Sequence, residues 1–148
     1  MAVQRRPAVS LAEERLRNSG VRATKARRSV MQELSNVDGP RTADEIFKLL
    51  RSTVPLSSLY RTLSVLSASG VLDRVHDGEG VARYELAEWL TGHHHHITCS
   101  RCGSTQDIDF APEVETTIQQ LAEEVGGAAG FEVTGHRLDL EGLCSLCR

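Results

Sequence analysis

Apolar and polar positions follow two different periods along this chain, and the change of period divides it. In the first half the spacing is helical. Leu11 to Asn18 is a short helical pattern stopped by Ser19-Gly20, preceded by nine residues that read as a basic arm with Arg5, Arg6 and Pro7. Thr24 opens a second helix, in which Val30, Met31 and Leu34 recur at helical spacing until Gly39-Pro40 breaks it. Thr42-Ala-Asp-Glu45 is a capping box, whose side chains satisfy the free amides of a helix start, and Ile46, Phe47, Leu49 and Leu50 follow. Pro55 ends this third helix, and Ser57 or Ser58 caps a fourth that reaches Ala68. Leu59, Leu63 and Leu66 share its buried face, Ser57, Arg61 and Ser64 line the other, and Tyr60 lies beside them.

After Gly70 the period shortens. Val71 to His76 and Val81 to Leu86 read as strands joined by the turn Asp77-Gly-Glu-Gly80. Helices followed by such a hairpin have the layout of a winged helix-turn-helix, with Arg74 and Arg83 on the wing. Glu88 to Gly92 reads as a linker, His95 to Cys99 and Gln106 to Asp109 as strands, and Pro112 as the first turn of a helix reaching Val125. Glu113 and Glu115 are favourable near that helix's positive end. Gly126 to Gly130 reads as a loop, and Phe131 to Leu140 as a strand whose apolar phase shifts across Gly135, the sign of a bulge.

Composition adds bounds. At 148 residues, 40% hydrophobic and 25% charged, the chain has the make-up of one or two small soluble domains. No apolar run approaches the roughly 20 residues that a membrane span needs. No signal peptide is evident at the start, so the expected compartment is the cytoplasm, with thiols reduced. The net charge of −3 hides an asymmetry: residues 1–84 carry 14 Lys and Arg against 9 Asp and Glu, residues 85–148 only 3 against 11. A basic front half suits a polyanion, an acidic back half suits cations.

All four cysteines fall in two C-x-x-C knuckles, Cys99/Cys102 and Cys144/Cys147, separated by 41 residues. Four thiolates at this spacing are the ligand set of a closed, tetrahedral structural zinc site. A redox pair is the competing reading, but two matched pairs without a βαβ pattern argue against it. Immediately upstream stand His93, His94, His95 and His96, an internal run unlike a terminal tag. Successive side chains of a strand point to opposite faces, so His94 and His96 face one way, His93 and His95 the other. Neither pair completes a coordination shell. For His94 and His96 the nearby candidates are Asp73, His76, Glu85 and Glu88; for His93 and His95 they are His136 and Glu115. In the first half, Arg22, Lys25, Arg27 and Arg28 can pin phosphates while Tyr60 and Arg61, flanked by Ser57 and Ser64, approach base edges in a major groove.

These residues together resemble the Fur family of bacterial metal-dependent repressors, most of all its zinc-uptake branch, over nearly the whole chain. Leu59-Tyr-Arg-Thr-Leu63 is similar to the family's recognition-helix signature. Arg83-Tyr-Glu85, the histidine run, Cys99-x-x-Cys102-Gly103 and Gly142-Leu-Cys144-Ser-Leu-Cys147 follow in family order. The resemblance implies an α+β protein: a winged-helix DNA-binding domain over 1–86, a hinge over 87–92, and an α/β dimerisation and metal-binding domain over 93–148. It also implies structural zinc in the cysteines, a regulatory metal on Asp73, Glu85 or Glu88, His94 and His96, and an additional site of His93, His95, Glu115 and His136. Two departures stand out. Gly39-Pro40-Arg41 occupies the place where iron- and peroxide-sensing members often carry a histidine, and Glu85 and Glu88 stand in the hinge where zinc-sensing members often have a cysteine. Glu85 also lies two residues farther from the histidines than in many iron-sensing members.

The expected protein is therefore a homodimeric repressor on a palindromic operator, without membrane or small-molecule substrate. Its regulatory ion is read as zinc, with iron or manganese as the alternative, and peroxide sensing as another. A zinc hydrolase is disfavoured by the absence of an H-E-x-x-H helix.

Overall fold

The computed structural model describes residues 6–77 and 79–148. The chain forms two compact units, residues 1–93 and 94–148. Among the described residues no helix is long and apolar enough to cross a membrane.

The first unit opens with α1 (Arg6–Asn18), longer than the periodicity predicts. Ala8, Ala12 and Leu16 form its buried stripe; two of the three are alanines, which carry little apolar signal in a sequence. Residues 1–5 of the expected basic arm lie outside the described residues, and Arg6 and Pro7 belong to the helix. Helix α2 (Lys25–Asn36) is capped by Thr24, whose Oγ1 accepts the Arg27 amide, and buries Val30, Met31 and Leu34. A short strand, β1 (Arg41–Thr42), leads into α3 (Ala43–Leu50), where the capping box forms as expected. The Glu45 amide donates to Thr42 Oγ1 (3.1 Å), and the Thr42 amide to Glu45 Oε2 (2.7 Å).

Helix α4 (Leu56–Ala68) begins directly after Pro55, without a serine cap. Proline already fixes the φ needed for entry, and its carbonyl accepts the Leu59 amide at 2.9 Å, so Ser57 and Ser58 fall inside the first turn. Leu59, Leu63 and Leu66 are each at most 1% exposed, which makes this helix the centre of the core. Gly70, at φ +67°, turns the chain into β2 (Leu72–His76). This strand pairs antiparallel with β3 (Ala82–Leu86), and β3 pairs with β1 on its other side.

The stretch expected to be a linker is helical instead: α5 spans Glu88–Thr91. Three contacts stitch it to the first unit. The Ala87 amide donates to Val71 O, the Trp89 indole donates to Gly70 O at 2.7 Å, and Leu90 packs against the core.

The second unit is a three-stranded sheet with β4 (His95–Cys99) at its centre. Strand β5 (Thr105–Ile108) runs antiparallel on one side and β6 (Asp139–Gly142) parallel on the other. Helix α6 (Pro112–Ala128) overruns the expected glycine loop. Within the helix, Gly126 leaves room for Val133, whose Cγ2 would stand 2.2 Å from a Cβ at that position. The strand expected over 131–140 is reduced to β6, and no ladder forms at Gly135. Asp139 pairs with His96 near the start of β4, so most of the residues before it lie beyond the start of that strand.

Candidate metal centres and the DNA-facing helix

The two cysteine knuckles meet because β6 lies beside β4. Cys99 ends β4 opposite Gly142, and the Ser100 amide donates to Gly142 O at 2.8 Å, which sets Cys144 beside Cys99. Each knuckle is a tight turn: the Gly103 amide donates to Cys99 O and the Cys147 amide to Cys144 O. All four are free thiols, with their sulfurs within 4.8 Å of one another and Cys102 and Cys144 at 3.9 Å. Tetrahedral zinc with Zn–S bonds of ~2.3 Å spaces its sulfurs by about 3.8 Å, so the donor set and its size fit that ion. The Cys144 amide, then those of Cys102 and Arg101, pull the Cys99 thiol down to about 6. Cys147 is pushed up to about 12 by its hydrogen bond with Cys144 and by burial, so a nearby cation is what would ionise the whole quartet.

The histidine run divides as strand geometry requires. On one face the His95 ring, 2% exposed, sits 4.7 Å from the Phe110 ring and places Nε2 at 2.9 Å from Glu115 Oε2. His136 reaches the other Glu115 oxygen at 2.8 Å, and its Nδ1 is held by Gln119 Oε1 at 2.9 Å. His95, Glu115 and His136 of the second unit thus converge, as expected. His93, the last residue of the first unit, is exposed and ion-pairs with Glu88.

On the opposite face the rings of His94 and His96 stand edge to face with centroids 5.1 Å apart. Asp107 lies between them, its Oδ1 at 3.9 Å from His94 Nε2 and 3.6 Å from His96 Nε2. Asp139 Oδ1 is 3.4 Å from His96 Nδ1. A single ion with ligand bonds of ~2.1 Å would span about 3.4 Å between tetrahedral donors, close to these separations. Neither aspartate is evident from spacing. Both are sheet neighbours of His96, Asp107 across the antiparallel ladder and Asp139 across the parallel one, and only the strand register reveals them.

The acids expected from the first unit sit together at the base of the wing hairpin. Asp73 on β2 is directly opposite Glu85 on β3, and Asp73 Oδ2 accepts the Glu88 amide at 3.1 Å. His76 does not join them: three residues along β2, it points to the other face.

On α4, Ser57, Tyr60, Arg61 and Ser64 are all exposed, so the polar face is available to a ligand. Arg27 is less free, because its guanidinium donates to the Arg22 carbonyl. The basic cleft at the start of α2 is lined instead by Arg17, Arg22, Lys25 and Arg28, with Arg28 ion-paired to Glu13 at 2.6 Å. Arg74 projects from the wing, but Arg83 does not. It lies on the wing strand β3 as expected, but its side chain is 7% exposed and turned inward.

A winged helix with an exposed polar and basic recognition face, followed by a unit carrying thiol and imidazole centres, defines a metal-binding DNA-binding protein. The chain belongs to the ferric uptake regulator family, whose model matches residues 18–141. It is 32% identical over 136 residues to the peroxide-responsive repressor PerR of Staphylococcus epidermidis, covering 90% of this chain and 85% of that one. It is 29% identical over 140 residues to the ferric uptake regulation protein of Bacillus subtilis, covering 91% of each. Among solved structures, the Vibrio cholerae ferric uptake regulator superposes with a TM-score of 0.73 at 25% identity, over 89% of this chain and 98% of that one. Members of the family are transcription regulators.

Proposed function

We propose that the chain is a homodimeric repressor whose binding to a palindromic operator is switched by a regulatory ion on His94 and His96, and that its targets are zinc uptake genes. The observation that carries this reading is the convergence of His94, His96 and Asp107 on one face of the β4–β5 ladder. An acid of the first unit, Asp73, Glu85 or Glu88, supplies a further ligand, so that a bound ion would cross-link the wing hairpin to the second unit. Two recognition helices reading successive major grooves must stand about 34 Å apart, and the cross-link favours that spacing over others. Zinc in the cysteine quartet holds the second unit together. His93 with His95, Glu115 and His136 forms an additional metal site. Dimerisation uses the exposed apolar residues of α6, Val114, Leu121 and Val125, with Phe131 beyond it.

Zinc as the regulatory ion is supported by the two imidazoles and by Gly39-Pro40-Arg41, where no upstream histidine is available. A second reading, iron or manganese sensing, is favoured by Asp107 and Asp139, because carboxylate oxygens suit those ions, and by the peroxide-responsive relative.

The deciding measurement is operator binding by wild type, His94→Ala and His96→Ala, titrated with zinc, iron and manganese in turn. Loss of the metal response in both variants is expected; normal repression by both would remove them as the sensor. A tight response to iron with indifference to zinc would replace the zinc assignment. Gain of one oxygen atom on a histidine after peroxide, with loss of DNA binding, would establish the peroxide-sensing form of the second reading.

A further inference from the structure

We infer that Arg83 is a positioning residue for operator binding: together with Asp77 and Glu45 it forms an ionic strut that fixes the wing hairpin against the start of α3. This rests on the DNA-binding reading above and adds a device inside the first unit to it.

The strut is continuous. Asp77 closes β2, and its Oδ1 accepts the amides of Glu79 (3.1 Å) and Val81 (2.9 Å), which shapes the wing turn. Its other oxygen takes Arg83 Nε at 3.2 Å, and Arg83 Nη1 reaches Glu45 Oε2 at 3.2 Å. That same Glu45 oxygen accepts the Thr42 amide in the capping box, and Thr42 is the β1 residue paired opposite Arg83. Side chain and backbone therefore tie one residue of β3 to both halves of the α3 cap. The Asp77 and Arg83 side chains are 9% and 7% exposed.

Two physical points separate this role from a phosphate contact. Two carboxylates share the Arg83 guanidinium, so its charge is already matched before a DNA phosphate approaches. Removing Arg83 leaves the buried Asp77 carboxylate without its cation, and removing the Asp77 charge leaves Arg83 held by Glu45 alone, so either change loosens the hairpin from α3. Arginine is the residue this geometry needs, since Nε and Nη1 lie in one rigid plane and bond two acids at once; a lysine has a single point charge.

The experiment uses the full, metal-loaded chain and a duplex that the wild type selects from a randomised pool. Affinity is measured against salt concentration for wild type, Asp77→Asn, Arg83→Lys and Arg83→Met, at a temperature where circular dichroism shows each fully folded. Amide exchange of Thr42, Glu79 and Val81 is followed without DNA. A strut predicts that all three variants weaken binding by about tenfold or more, equivalent to about 1.4 kcal/mol. The salt dependence keeps its wild-type slope, and exchange accelerates at the wing turn and at Thr42 together. A phosphate contact predicts the reverse pattern. Asp77→Asn would then bind as well or better, Arg83→Lys would keep most of the affinity, and Arg83→Met would lose about 0.9 from the slope. That pattern, or unchanged exchange in Asp77→Asn, overturns the inference. If the wild type selects no duplex, the DNA-binding reading fails and takes the operator role of Arg83 with it, while the exchange data still decide whether the strut exists.

Discussion

Among the described residues, fifteen buried apolar side chains from Ala8 to Leu86 form one cluster in the first unit, drawn from four helices and the wing. The second unit buries a different inventory: His95, His96, Thr105 and Cys99, while Val114, Leu121, Val125, Phe131, Leu140, Leu143 and Leu146 remain exposed. One unit is stabilised by removing hydrocarbon from water. The other brings together thiols, imidazoles and carboxylates, groups able to hold cations. The difference teaches that the hydrophobic core and most of the metal-ligating side chains lie in different parts of the chain. The first unit holds its shape by packing, and on the reading proposed above the second draws part of its stability from bound ions.

The largest expected effect tests that division directly. Chelation of the metal-loaded protein, or Cys144→Ser, should abolish the cooperative unfolding of the second unit, while amide protection in α2 and α4 persists. Simultaneous loss of protection in both units would refute the contrast. Next in size, Leu63→Ala should cost about 2–5 kcal/mol in the first unit and lower its melting temperature, leaving metal content unchanged. Leu121→Asp should weaken self-association by on the order of a hundredfold, read by sedimentation, because a carboxylate would replace a leucine in the proposed dimer contact. The smallest effect is in acid. Burial raises the Asp77 carboxyl, but hydrogen bonds from the Val81 amide, the Arg83 side chain and the Glu79 amide outweigh it and hold the group below its ordinary value of 3.8. A depressed carboxyl contributes stability that is complete above the unfolded value and lost as pH falls through the folded one. Amide protection at Val81 should therefore be flat from neutral pH down to about 4 and decline below it, and Asp77→Asn should remove that decline.

Much of this was legible beforehand, for identifiable reasons. The capping box at Thr42, the leucine stripe of α4 and the two cysteine knuckles are local patterns, set by residues a few positions apart. The division of the histidines follows from strand alternation alone. What escaped depends on long-range register. Asp107 and Asp139 flank His96 only once β5 and β6 are aligned with β4, and no spacing along the chain encodes that alignment. The inward turn of Arg83 depends on acids 6 and 38 positions away. The close approach of Val133 to Gly126 in α6 is likewise invisible along the chain, as are the partners that Leu90 and Trp89 of α5 find in the first unit.

The pairing of β4 is anchored downstream, at Ile97, Thr98 and Cys99, while the residues that precede Ile97 are four copies of one amino acid. Inserting a fifth copy would leave the same ring chemistry at each of the four places counted back from that anchor, and would lengthen only the connection to the α5 side. Losing one copy would empty the outermost place and no other. Repetition here acts as tolerance to slippage: the tract can change length by one while the three imidazoles nearest the anchor keep their partners.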